Sequence, residues 1–214
     1  MFKRGVGVVL VFCWLGLALA AEEFFFPFNE PEELNSFWAA QTARCGTLSD
    51  WEIVPAPGAS VGKALIVRPN PATNYGSCFN VLLSRDISAK DLVLEVKVKA
   101  VKGREDQGGG LLWRAKDADN YYVVRWNPLE DNFRLYYVKR GRRKMLASAY
   151  CKADPHVFHL IRVEHRGEVI RCFFDGKLLL EKKDRTFSAA DQIGLWTKAD
   201  AETLFDDLRV KILP

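Results

Sequence analysis

The chain has 214 residues, 49% of them apolar and 27% charged, which suits one globular domain with a sizeable core and excludes a disordered chain. The formal net charge of +4 falls to +2 without Lys3 and Arg4, leaving 29 basic against 27 acidic side chains. Nothing in that balance calls for nucleic acid as a partner.

Residues 1–21 read as a secretory signal peptide. Lys3 and Arg4 make a positive start, Val6 to Leu17 an apolar stretch, and Ala18-Leu19-Ala20 a small-residue site with cleavage expected after Ala20 or Ala21. The apolar run is shorter than the roughly 20 residues of a spanning helix. The expected destination is the periplasm or the exterior of a bacterium, as a monomer with no membrane attachment after cleavage. Four cysteines follow: Cys45, Cys78, Cys151 and Cys172. An even number in an exported chain fits two disulfides, in any of three pairings. Cys45–Cys78 with Cys151–Cys172 is the preferred pairing, although Cys172, alternating with Ile170 and Phe174, also fits a buried free thiol.

Residues 22–50 are the least regular and read as an extension that packs on the domain proper, residues 51–214. Phe24, Phe25, Phe26 and Phe28 are expected to cover a sheet face. Asn29 to Ala43 has room for a short helix, with Pro31 near its start and Leu34, Phe37 and Trp38 on one side.

From Trp51 onward, short alternating runs are separated by turn residues. Pro69 to Gly76 is a loop. In Asp91 to Val101, Leu92, Leu94, Val96 and Val98 point one way and Val93, Glu95, Lys97 and Lys99 the other, as in a half-buried antiparallel strand. Gly108 to Val138 reads as three successive strands joined by Asp- and Asn-rich turns, with Trp113 and Trp126 expected in the core. Lys139-Arg140-Gly141-Arg142-Arg143-Lys144 is a basic hairpin tip. Arg166-Gly167-Glu168 and Asp175-Gly176 are further tight turns. About a dozen strands and no long amphipathic helix predict an all-β jelly-roll sandwich: two antiparallel sheets face to face, one with a concave outer face.

Several runs resemble exported bacterial domains of the concanavalin A-like lectin/glucanase superfamily. They are Gly110-Leu111-Leu112-Trp113-Arg114, Asp119-Asn120-Tyr121-Tyr122, Asn127-Pro128-Leu129-Glu130-Asp131-Asn132, Phe174-Asp175-Gly176-Lys177, Ile193-Gly194-Leu195-Trp196 and Phe205-Asp206-Asp207-Leu208. More closely, the chain is similar to the 3-keto-disaccharide hydrolase-like group. The resemblance spans Trp51 to Ile212 and implies the concanavalin A-like jelly roll. It leaves activity open, since lectins, binding modules, glycosidases and lyases share that fold.

Retaining glucanases of this fold carry Glu-x-Asp-x-x-Glu on one strand, where a period of two aligns the carboxylates. That motif is absent here. Sugar recognition instead needs flat aromatic faces and planar polar groups. Arg125 and Asn127, then Asn132, Arg134 and Tyr136, then Trp196 and Lys198 with Asp200 just beyond, supply both by alternation on successive strands. A carbohydrate ligand on the concave face is the first reading. The plain structural alternative is a network of Arg125, Asn132 and Arg134 with Glu130, Asp131 or Asp207. An enzyme acting on 3-keto-glycosides, with acid–base residues among Glu130, Asp200, Asp206 and Asp207, is a second functional reading, and an envelope module that binds no sugar a third. No cofactor is expected. Calcium at the Asp117, Asp119 and Asn120 turn is the lesser metal reading, and His156 and His159 fall on opposite faces of an extended strand, which disfavours zinc.

Overall fold

The computed structural model describes residues 22–189 and 191–214. The signal-peptide reading falls on residues outside that set. The strands are β1 (Glu23–Phe26), β2 (Phe37–Gln41), β3 (Asp50–Pro55), β4 (Lys63–Arg68), β5 (Phe79–Ala89), β6 (Leu92–Lys102), β7 (Gly109–Asp117) and β8 (Asn120–Asn127). They continue with β9 (Asn132–Lys139), β10 (Arg142–Tyr150), β11 (His159–Arg166), β12 (Val169–Phe174), β13 (Lys177–Lys183), β14 (Asp191–Lys198) and β15 (Glu202–Ile212). One sheet of eight strands runs β13-β12-β11-β6-β15-β4-β3, with β1 also paired to β15. The other, of seven strands, runs β10-β9-β8-β7-β14-β5-β2. All pairings are antiparallel.

The inner faces meet in one core. Leu92, Leu94, Val96 and Val98 of β6 face Trp113, Tyr122, Val124, Trp126, Phe133 and Leu135 of the opposite sheet, with Trp113 and Trp126 wholly buried as expected. Inside that core the Trp113 indole N–H donates to His165 Nδ1 at 2.9 Å. The expected sandwich is therefore present, and two of its hairpins turn on a positive-φ residue followed by glycine. Arg140-Gly141 (φ 52° and 73°) and Asp175-Gly176 (47° and 78°) are such pairs.

Residues 22–50 do more than pack on the sandwich, because β1 extends one sheet and β2 the other. Phe24 and Phe26 turn toward the core while Phe25 faces out beneath the Arg209 guanidinium, 3.8 Å from the ring centre. The expected helix is a short 3₁₀ segment, Pro31–Ser36, that ends before β2. Glu33 fixes its start by accepting the backbone N–H groups of Phe28, Asn29 and Glu30. The extended backbone that follows puts Phe37 in the core, against Phe26 at 4.9 Å between ring centres, and Trp38 on the other face. Those two residues thus lie on opposite sides, because strand alternation replaced helical spacing.

Cys45 and Cys78 form the expected disulfide. Cys151 and Cys172 do not pair; both are free thiols. Cys172 lies on β12 of the eight-stranded sheet and Cys151 just beyond β10 of the other, and each packs as an apolar side chain in the core. Burial pushes the Cys151 thiol up to about 11 and raises Cys172 further, so both stay protonated.

Candidate functional site

Strand alternation gathers the expected residues on the outer face of the seven-stranded sheet. Tyr121, Val123, Arg125 and Asn127 of β8 point outward, as do Asn132, Arg134, Tyr136 and Val138 of β9 and Trp196 and Lys198 of β14. The register pairs Arg125 with Arg134, Val123 with Tyr136 and Asn127 with Asn132. Gly110 of β7 lies between Arg125 and Trp196, opposite both. A Cβ there would fall 2.0 Å from the Val124 carbonyl oxygen, so only glycine fits the crossing.

Two ionic knots tie the polar residues together. At the first, Glu130 Oε2 accepts from Asn132 Nδ2 at 2.8 Å and from both Arg125 and Arg134 at 3.0 Å, while Arg125 also donates to Asn132 Oδ1 at 2.9 Å. The Asn132 hydrogen bond, then the Arg125 bond and the charges of Arg125 and Arg134, hold the half-exposed Glu130 carboxyl down at about 2. This is the Glu130 arm of the structural network weighed from sequence. At the second knot, Asp106 receives Asn127 Nδ2 at 2.9 Å and the Lys198 ammonium at 3.0 Å. Asp106 is 2% exposed, and burial raises its pKa against the pull of Arg125 and Lys198. Asn127 is also a turn residue, its Oδ1 accepting the N–H groups of Leu129 and Glu130. Asp200 stands apart from the sheet face. It accepts the backbone N–H groups of Arg104, Glu105 and Asp106, and so fixes the loop that delivers Asp106.

The aromatic residues are not an open platform. Trp196 is 1% exposed and belongs to a second apolar cluster with Phe79, Val81, Leu112, Tyr121, Val123, Tyr136 and Val138. Its indole N–H donates to Tyr121 Oη at 3.1 Å, and that hydroxyl bonds Thr42 Oγ1 at 2.7 Å. Over the cluster lies the Arg143 guanidinium, 4.4 Å from the Tyr136 ring centre, 5.1 Å from Phe79 and 5.8 Å from Trp196.

The exposed part of this face lies along β9 and β10. There Arg134 Nε donates to Ser148 Oγ at 3.2 Å, and Tyr150, opposite Asn132, is 74% exposed. Neither Ser148 nor Tyr150 is visible to a period-of-two reading. A bulge between Met145 and Ala147 inserts one residue, so Arg143, Met145, Ser148 and Tyr150 share the outer face. Asp106 and Arg143, which close the face, come from a distant loop and an edge strand, and no local pattern marks them.

The remaining candidates are elsewhere. Asp206 and Asp207 lie where β15 bulges against β6 of the eight-stranded sheet, and bond Ser60 and Lys97. At the β7–β8 turn, Asp117 Oδ1 accepts the Asp119 N–H and Asn120 Nδ2, and Asn120 Oδ1 accepts the Arg140 N–H. Turn chemistry thus uses the oxygens considered for calcium. His159 bonds Asp175 Oδ2 and the Asp154 carbonyl, both at 2.7 Å. Among the described residues no group of three or more His, Cys, Asp or Glu is placed to hold a metal ion, and no helix is long and apolar enough to cross a membrane.

The sheet order and facing cores are those of the concanavalin A-like jelly roll. The carbohydrate-binding module CBM66 from Bacillus subtilis superposes with a TM-score of 0.62 at 20% identity, over 80% of this chain and 94% of the module. The cellulose-induced protein Cip1 does so at 0.64 and 9% identity, over 87% and 96%. Bacillus licheniformis β-glucanase gives 0.60 at 13% identity, over 90% and 98%. No protein-family model matches the chain, and no curated protein matches it.

Proposed function

We propose that this is an exported glycan-binding domain, whose ligand lies on the outer face of the seven-stranded sheet along β9 and β10. One observation carries the reading. A rim of accessible polar and aromatic side chains (Arg134, Glu130, Ser148 and Tyr150) stands on a floor of packed polar and aromatic side chains. Tyr150 offers a ring face for the C–H side of a sugar, and Arg134 and Glu130 offer a donor fork and an acceptor for its hydroxyls. Arg125, Asn127, Asn132, Tyr136, Trp196 and Lys198 hold that floor rigid, which lowers the entropic cost of binding. Asp200 is a positioning residue for the Asp106 loop. The solved structures that share the fold include a carbohydrate-binding module and a glucanase, which supports sugar as the ligand class. The Cys45–Cys78 disulfide supports an oxidising destination, and so a cleaved signal at residues 1–21.

Binding is favoured over catalysis on 3-keto-glycosides because Asp106, the one carboxyl among the described residues with a raised pKa, is closed over and has both oxygens occupied. The test is a glycan array run beside a 3-keto-glycoside turnover screen, with wild type, Tyr150→Ala and Arg134→Ala. The account expects glycan binding without turnover, weakened about tenfold in each variant, as for loss of a contact worth 1–2 kcal/mol. Unchanged binding in both variants removes the site, and turnover replaces the binding reading with the enzymatic one.

A further inference from the structure

The β9–β10 hairpin carries five cations in six residues: Lys139, Arg140, Arg142, Arg143 and Lys144. Among the described residues none of the five meets a carboxylate at ion-pair distance, whereas Lys97, Arg114, Arg125, Arg134, Arg162 and Arg171 all do. These five cations and Tyr137 line an open groove of about 730 Å³. The hairpin tip is held in place, since Asn120 Oδ1 accepts the Arg140 N–H and the Asp119 carbonyl accepts that of Gly141, both at 3.1 Å.

Two donors behind this rim lack partners. Arg143 is drawn onto the aromatic cluster, and its Nη1 is buried without a hydrogen bond. Arg125 is 1% exposed, and its Nε is likewise unbonded. Buried polar N–H groups normally find acceptors, because an unmet donor forfeits its hydration without return. The two guanidinium charges also oppose each other across the face. An anion in the groove, which Arg143 also lines, would offset that repulsion.

We propose that the ligand is an acidic polysaccharide whose uronate carboxylates are taken by Arg143 and the hairpin cations while a sugar ring lies on the Tyr150 rim. This rests on the glycan-binding reading above. A planar carboxylate matches the planar guanidinium fork in a way that hydroxyls do not. Arg142 and Lys144 project from the opposite face of the edge strand to Arg143, and cations on both sides of one edge favour a repeating chain of anions over a single one.

The test measures binding of the full chain to immobilised polygalacturonate, its fully methyl-esterified form, dextran and dextran sulfate, at low and high salt. The proposal expects polygalacturonate alone to bind tightly, with affinity falling as salt rises. Arg143→Gln should lower that affinity about tenfold or more, and the double variant Arg142→Gln/Lys144→Gln about two- to fivefold. Equal binding of the methyl ester overturns the role of the carboxylate, and this arm needs no variant to fold. Equal binding of dextran sulfate overturns uronate selectivity. Binding to dextran alone overturns the acidic ligand and leaves the glycan-binding reading standing. Binding to none of the probes, with no hit on the glycan array, overturns both.

Discussion

The outer faces of the two sheets are built on opposite terms. Along β6, β11, β12 and the β1 edge of the eight-stranded sheet, outward charges are at least partly solvated and matched: Arg162 with Glu95 and Glu164, Lys97 with Asp207, Arg171 with Glu181 and Lys211 with Glu23. That is an ordinary solvated face, in which each pair adds little. On the seven-stranded sheet, the outward positions form a second apolar cluster roofed by Arg143, with Asp106 and Glu130 reaching in from loops. Two arginine donors go unmet there, Arg125 Nε and Arg143 Nη1, whereas on the eight-stranded sheet Asp206 Oδ1 is an acceptor left unmet. The contrast separates polar residues that keep a sheet soluble from those that shape a receptor.

The sharpest way to break this contrast is to truncate one large side chain on each face. Trp196→Ala should cost about 3–5 kcal/mol in urea unfolding, because its ring is packed as in a core. Arg162→Ala should cost less than about 1 kcal/mol, since its partners are already partly solvated. Similar costs at the two sites would mean that the faces do not differ.

A second probe reads the core between them. Burial first, then the positive charge of Arg114, lowers the His165 pKa to about 3, so the ring is neutral when it accepts the Trp113 N–H. Unfolded, it titrates near its ordinary value of 6.5. The unfolded chain therefore takes up a proton first as the pH falls. Stability should be fully present above pH 6.5 and decline steadily toward pH 3, by on the order of 3 kcal/mol at pH 4. Unfolding curves of wild type and His165→Gln across that range check this. The variant should show a flatter pH dependence, and an identical slope would place the effect elsewhere.

How much of this was legible follows from the range of each interaction. Alternation within β6, β8 and β9 sorts residues by face from local sequence, and Asp-Gly or Arg-Gly marks the turns. That was enough to bring Arg125, Asn127, Asn132, Arg134, Tyr136 and Trp196 to one surface. Whether the surface is open was not legible, because Asp106 arrives on a loop distant in sequence and Arg143 closes over Phe79 and Trp196 from other strands. Ser148 and Tyr150 were hidden by a single inserted residue that reversed the alternation of β10. The free Cys151 and Cys172 illustrate the same limit. An even cysteine count permits a bridge, but only the packing decides that both sulfurs serve the core.

The most direct test of the central claim is an amide chemical-shift titration of the full chain with trigalacturonate. The account predicts that the largest shifts fall at Arg134, Arg143, Ser148 and Tyr150, with the outer face of β6 and β11 unmoved. Shifts centred on Glu95, Arg162 and Lys97 of the eight-stranded sheet would contradict it.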